Sequence, residues 1–576
     1  MAGQITLRMH RDAVTFRKST EVAALRAAPG AALALAARLA DEAAAGRLRR
    51  LGQLGRFELV APVASPAAPA PAPAETETET DRLDTWLDAA RTARDVAAGS
   101  HVWTTSDDGV PFLPTGEIHL VFDPTLSDAA MNAIIARHGL LLGECRGRGA
   151  FVAQTGPRAP NPMRVAAALA AEAGVFLAEP DLASPMVRHR APGGAESAAG
   201  DPWHLENTGF HNGAGVGFRA GADARVVRAW EALDRDGRGR GRDDIRIAMI
   251  DDGFDLAHPD MAGRCVASHD FTRRGADVSP DWGDWHGAAC AGLALAGGVS
   301  GRTIGAAPDA RLVALRWGRD LSDREVEAWF AHAGRCEAAI LSAAWGPAAR
   351  IYPLSTRKAE AIRRLAREGR GGRGCVVVVS AGAQGWDFDA PEDAPDRALN
   401  GFAAHPDVVA VTATTSMDTL AEGANRGACI WLAAPAGGVG GWGVPTTDVS
   451  GFVTLPDGGV LHRGEGPGDR MVMPGGPSAA CALTAGICAL VLSANPTLTA
   501  RDVRALLAET TRPLPDQRAP EGIAEGSAGA RRDPRYGHGC VDAYAAVLAA
   551  SQMPGARALA ILRDETGCDH IPAPAP

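Results

Sequence analysis

The pattern of apolar and polar positions divides the chain into stretches of different character. Within residues 244–550, short apolar runs at 245–250, 311–315, 339–342, 375–380 and 408–412 predict strands buried on both faces. Between them, 286–296, 323–332, 356–368 and 500–509 have helical spacing. Such alternation predicts an α/β domain, a parallel sheet with helices on both faces. Chemistry on a sheet of that kind sits at the carboxyl ends of its strands.

From 116 to about 181 the pattern tightens into strand 118–122, helix 127–138, strands 140–142 and 150–153, helix 163–173 and strand 174–177. Ser127 is placed to cap the first of these helices. This order is the split βαβ arrangement of a ferredoxin-like α+β domain, spanning 116–190. Residues 1–60 form a small α/β unit, with strand-like runs over 5–16 and helical spacing over 21–49, whose role cannot be read from sequence. Ala-Pro repeats and alternating Glu-Thr make 61–80 a linker. Residues 81–115 read as a helix (81–99) and a connecting loop. Residues 191–201 are a second linker, preceded by Arg188-His189-Arg190, where nicking is expected. The α/β domain then runs over 202–550, and 551–576 is a tail.

Composition narrows the field. The chain has 576 residues and a formal charge of −10, and its basic residues are scattered, so no nucleic-acid partner is expected. The ten cysteines form no C-x-x-C pair and read as small core residues. Residues 1–11 lack the apolar core of a signal peptide, and no apolar stretch reads as a membrane span. A cytoplasmic location without a membrane partner is therefore expected, with secretion by a route lacking a visible signal as the alternative.

Three residues stand out as chemistry. Asp251 follows the run 245–250, at a strand's carboxyl end. His286 opens a run of small residues, and Ser478 follows Gly475-Gly476-Pro477 at the start of a helix that is apolar all round. Each alone reads as a turn former, a structural histidine or an N-cap. Together the order Asp, His, Ser is one of the known chain orders for a triad in which His takes the serine proton and Asp orients the His.

These motifs resemble those of the subtilisin-like serine proteases, the subtilases. Ile250-Asp251-Asp252-Gly253 with His258-Pro259-Asp260 resembles the family's aspartate motif. His286-Gly287-Ala288-Ala289-Cys290-Ala291-Gly292 resembles its histidine motif, with Ala288 where Thr is usual. Gly476-Pro477-Ser478-Ala479-Ala480 resembles its serine motif, with Pro477 where Thr is usual. The ferredoxin-like stretch, leaving through Ala178-Glu179-Pro180-Asp181, resembles a subtilase propeptide, which in the family assists folding and occludes the cleft. The resemblance implies a serine endopeptidase acting on a protein or peptide substrate without a cofactor, with the propeptide-like domain as intramolecular partner. It also implies that Ala344, Trp345 and Gly346 line the primary specificity pocket, which Trp345 would narrow. Calcium, bound by many subtilases, is compatible with Asp255, Asp260 and Asp270. Their spacing is irregular, so solvated or salt-bridged aspartates are expected and no metal site is assigned.

One departure is chemical. Where the family places an oxyanion-stabilising Asn, this chain has Ala383, followed by Gln384 as the available substitute donor. In subtilisin itself, loss of that donor lowers turnover by roughly 10²–10³. An active endopeptidase, a pseudo-protease that binds a peptide or partner, and a peptidase held latent by residues 116–190 all stay open.

Overall fold

The computed structural model describes residues 3–63, 79–156, 161–188 and 201–553, the last span excepting 212–214, 216, 300, 302, 319, 438–441, 455–458, 467 and 519–531. Most of the two expected linkers and of the tail lie outside these residues. The chain divides into two compact units, one of residues 1–186, 318–327 and 347–360, the other of 187–317, 328–346 and 361–576.

The first unit begins with β1 (Gln4–Met9), β2 (Asp12–Ala27), α1 (Ala32–Ala44), β3 (Leu48–Leu54), β4 (Phe57–Pro62), α2 (Glu79–Arg91) and β5 (Val96–Thr104). Its antiparallel sheet has the order β1-β2-β4-β3, with β5 also pairing with β2. The helix expected over 21–49 is therefore corrected to a strand end, a shorter helix and another strand. Ala23, Ala24 and Leu25 have high helix preference, but they are buried, and they pair with β4 and β5. Burial and pairing override local propensity there. For the same reason the helix expected over 81–99 ends at Arg91, and its last residues join β5.

The unit continues with β6 (Leu113–Phe122), α3 (Asp128–Arg137), β7 (Leu140–Gly147), β8 (Ala150–Thr155), α4 (Pro162–Ala170) and β9 (Val175–Ala183). The sheet order is β7-β8-β6-β9 with antiparallel neighbours, the ferredoxin-like arrangement. Ser127 caps α3, accepting from the Ala130 N–H.

The second unit carries β10 (Met186–Arg188), α5 (Val226–Arg235), β11 (Arg246–Asp251), β12 (Cys265–Asp270), α6 (His286–Leu295), β13 (Arg311–Arg316), α7 (Asp323–Arg335), β14 (Ile340–Ala343), β15 (Trp345–Pro347) and α8 (Thr356–Gly372), some of which begin or end in the first. Its seven-stranded sheet is parallel throughout. The order is β12-β13-β11-β14, then Val376–Ser380, Val408–Thr414 and Leu432–Pro435. The helix α9 (Pro477–Ala494) packs on α6 and on three central strands. By length and composition it is apolar enough to cross a membrane, yet every residue of it is buried. It is the core helix of this unit.

Small residues set how closely α6 and α9 approach. A Cβ on Gly486 would stand 2.6 Å from the Ala294 carbonyl oxygen, and one on Gly287 would collide with the Gly253 carbonyl and the Asp251 side chain. Glycine at 486 lets the middle of α9 close on the carboxyl end of α6, and glycine at 287 lets the amino end of α6 close on Asp251 and Gly253.

In the first unit, two carboxylates at the end of β9 cap the helices that enter it. Glu179 accepts from the Thr356 N–H at 2.7 Å and from the Thr356 hydroxyl at 2.9 Å, at the start of α8. Asp181 accepts from the Asp323 N–H at 2.7 Å, at the start of α7. Both are buried, and burial pushes both carboxyls up, Glu179 to about 7. Asp323 is paired with Lys358 at 2.8 Å and is held below the usual carboxylate range by the neighbouring Lys358 and Arg357 cations, which outweigh its own burial.

Candidate active site

Asp251 is the last residue of β11 and His286 the first of α6. The continuous apolar strand buries its own end, so the carboxylate emerges beneath the helix. His286 Nδ1 lies 2.9 Å and 3.1 Å from the two Asp251 oxygens, with both side chains buried. An ionised carboxylate can only accept, so Nδ1 carries the proton and Nε2 is left as the basic nitrogen. Asp252, next in the chain, caps α6: its Oδ1 accepts from the Gly287 N–H at 2.8 Å. Asp251 and Asp252 thus fix the side chain of the histidine and the end of its helix.

Ser478 stands in the first turn of α9 behind Gly475 and Gly476, at φ 95° and 98°. A Cβ at Gly475 would run into the Ala436 carbonyl, so the turn that presents the serine demands glycine. The N–H of Ser478 has no carbonyl one turn back to bond and lies at the positive end of the helix dipole. Its hydroxyl donates to the Ala344 carbonyl at 2.6 Å. Among the described residues, Ser478 and His286 share no hydrogen bond in this arrangement.

Ala344 is the buried link between β14 and β15. Trp345 does not narrow an open pocket, which corrects the sequence expectation. Its ring is 1% exposed, meets Trp317, Trp329 and Phe402 edge to face at 5.4–5.6 Å, and its Nε1 donates to the Ile250 carbonyl at 2.9 Å. It anchors β15 to β11. Gly346 follows in β15, and β10 pairs with that strand.

Arg188, the last residue of β10, reaches the acidic groups beside the Asp–His pair. Its Nη1 is 2.7 Å from Asp252 Oδ2, its Nη2 3.6 Å from Asp284 Oδ1, and it donates to the Gly283 carbonyl at 3.4 Å. Burial and the adjacent Asp251 push the Asp252 carboxyl upward, and Arg188 opposes that shift. Arg316 compensates the far side, bonding Asp284 at 3.1 Å, Asp270 at 2.9 Å and the Asp252 carbonyl at 2.6 Å. Asp252, Asp284 and Arg316 escaped the sequence reading. Asp252 looked like part of a turn motif, and Arg188 lay beside a linker.

Ala383 offers no side-chain donor. Gln384 is held by Asn425: its Oε1 accepts from Asn425 Nδ2 at 3.0 Å, and its own N–H donates to Asn425 Oδ1 at 3.0 Å. Its amide braces the loop. Of the three aspartates considered for calcium, Asp255 and Asp270 make other bonds. Asp270 bonds Arg316 and the N–H groups of Thr272 and Arg273, and Asp255 accepts from the Ala257 and Ser450 N–H groups. Among the described residues, one group of His, Cys, Asp and Glu gathers its ligand atoms within 4.8 Å, namely Asp251, His286 and Cys290. A thiol and an imidazole do not suit calcium. These residues do not fit a calcium site.

A seven-stranded parallel sheet with an aspartate at a strand's carboxyl end, a histidine opening the helix above it, and a serine at the start of a buried helix packed on that one, defines a subtilisin-type architecture. The model of the subtilase family matches residues 242–539, and the chain belongs to that family. It is 30% identical over 365 residues to a calcium-dependent protease of Trichormus variabilis, covering 60% of this chain and 50% of that one. It is 30% identical over 329 residues to neuroendocrine convertase 2 of Caenorhabditis elegans, covering 54% and 44%. The chain spans about half the length of the curated relatives it matches. Among solved structures, fervidolysin from Fervidobacterium pennivorans superposes with a TM-score of 0.52 at 18% identity, over 77% of this chain and 62% of that one, a likeness of fold.

Proposed function

We propose that this chain is a serine endopeptidase that cleaves peptide bonds through an acyl-enzyme. Ser478 is the nucleophile, His286 the general base and then acid, and Asp251 the orienting carboxylate. The observation that carries this reading is the buried Asp251–His286 pair, in which Nδ1 faces the carboxylate and Nε2 is the ring nitrogen left over for the serine. In this role the Ser478 hydroxyl leaves the Ala344 carbonyl and gives its hydrogen bond to Nε2. The oxygen then attacks the substrate carbonyl as the proton passes to His286. That proton goes to the departing amine, and a water repeats the steps to free the acid. The Ser478 N–H and the α9 dipole stabilise the oxyanion.

Arg188 supports two refinements. It lies in a strand beside β15 with its guanidinium on Asp252 and Asp284, as a bound peptide would. The substrate is therefore a peptide chain with a basic residue for that pocket. The segment ending at Arg188 holds the enzyme latent until it is released. A second reading, a pseudo-protease that binds peptides without cutting them, draws on the Ser478–Ala344 hydrogen bond and on Ala383.

The test is labelling of the purified full chain by a fluorophosphonate, read by intact mass, with Ser478→Ala as control. Labelling lost in the variant is the expected result. No labelling after cleavage on the carboxyl side of Arg188 would leave the binding reading in its place.

A further inference from the structure

The small sheet at the amino terminus has no part in the catalytic reading, yet three of its connections point the same way. The β1–β2 turn, with His10 at φ 48°, donates the His10 N–H to Glu179 Oε1 at 2.5 Å, the oxygen that also accepts from the Thr356 hydroxyl. In the β3–β4 turn, Gly55 lies so close to Asp320 that a Cβ would collide with it, and Arg56 bonds Glu325 at 3.1 Å. In the loop after β5, Thr105 donates to the Ile351 carbonyl at 2.7 Å and Asp108 accepts from the Arg350 N–H at 2.8 Å. Aromatic rings continue the contact inward. Phe16 meets Phe112 edge to face at 5.5 Å, Phe112 stacks on Tyr352 at 5.8 Å, and all three are buried.

Every partner reached this way lies in residues 318–327 or 347–360, or is the carboxylate that caps them. These are the two peptidase-domain segments that the ferredoxin-like domain also holds. We propose that residues 3–112 are a second fastening of the latent state, a binding module whose ligand is this chain's own segments 318–327 and 347–360. It rests on the latency reading above. Two linked attachments release far more slowly than either alone, because each keeps the other at high local concentration. Cleavage after Arg188 then frees activity only once both have let go.

The test uses the full chain carrying Thr105→Val and Asp108→Ala, which removes the two hydrogen bonds to Arg350 and Ile351 together with the bond from the Val110 N–H to Asp108. Amide exchange is followed at residues 350–352 in a Ser478→Ala background, and fluorophosphonate labelling is followed over time with Ser478 intact. Exchange there is expected to quicken roughly tenfold with that of β6 unchanged, and labelling to rise sooner than in the parent. Unchanged exchange overturns the proposal, as does faster exchange with an unaltered labelling course. A parent chain fully labelled at the first time point overturns latency itself, whatever the exchange data give. Should the double variant fold poorly, Arg56→Glu must accelerate labelling and Glu325→Arg must restore the delay. Absence of that rescue overturns the proposal as well.

Discussion

Replacing Asp252 by Asn separates the charge of the pocket from its architecture. The amide oxygen still accepts from the Gly287 N–H, so the cap on α6 survives. What disappears is the negative charge 2.7 Å from the Arg188 guanidinium. Two unit charges about 4 Å apart attract by roughly 4 kcal/mol at an effective dielectric of about 20. Desolvating the guanidinium offsets part of this. A charge-assisted hydrogen bond leaves a surplus of about 1.5–3 kcal/mol, a factor of roughly 10–150. Arg188 keeps 30% of its side chain exposed, which favours the lower half of that range. The assay compares kcat/KM for peptides carrying Arg or its neutral isostere citrulline at successive positions. In the parent, Arg is expected to win at one position by roughly 10–50-fold, and in Asp252→Asn that preference should collapse while the citrulline rate changes little. An Arg preference of undiminished size in the variant would refute the assignment of this pocket to a basic residue.

Two other outcomes follow from the geometry. By the resemblance to the family's oxyanion motif, Ala383→Asn supplies the side-chain donor that the family has there and should raise kcat by at least about tenfold, with KM little changed. An unaltered kcat would mean that another group already completes the oxyanion site. Glu179 is raised by burial to about 7 from 4.5 in the open chain. A carboxyl raised on folding stabilises most below its unfolded value, so the first unit should lose stability as pH climbs from 4.5 to 7, at up to about 1.4 kcal/mol per unit. Glu179→Gln should flatten that slope when amide exchange of β9 is compared at pH 5 and pH 8. Asp181, raised likewise by burial, keeps a remainder, so a slope of undiminished size in the variant is what argues against Glu179 as a source.

The sequence carried the parallel sheet well, because strands buried on both faces leave uninterrupted apolar runs, as in 245–250 and 375–380. It singled out Asp251, His286 and Ser478 because each sits where periodicity breaks into Gly, Pro or a lone polar group. It misjudged β2, where Ala23 to Leu25 look helical and only their partners in β4 and β5 make them a strand. Trp345 was read as a pocket wall because a position in a motif says nothing about rotamer, and the ring turned into the core. The pocket around Arg188 was invisible for a further reason. Asp252, Asp284 and Arg316 come from three separate elements and meet only after folding. Glu179 and Asp181 were seen as the exit of a domain, while their service to α7 and α8 depends on helices well over a hundred residues away.

Asp252 grips the amino end of α6 with one oxygen and Arg188 with the other. The base is thereby carried on the same side chain that screens incoming peptides. On that reading a lineage can trade this aspartate for a different taste in substrates only through asparagine, since a replacement that lacks the acceptor also disturbs the perch of His286. Divergence in preference is channelled instead to Asp284 and the loop around it, which touch the guest and leave the base alone.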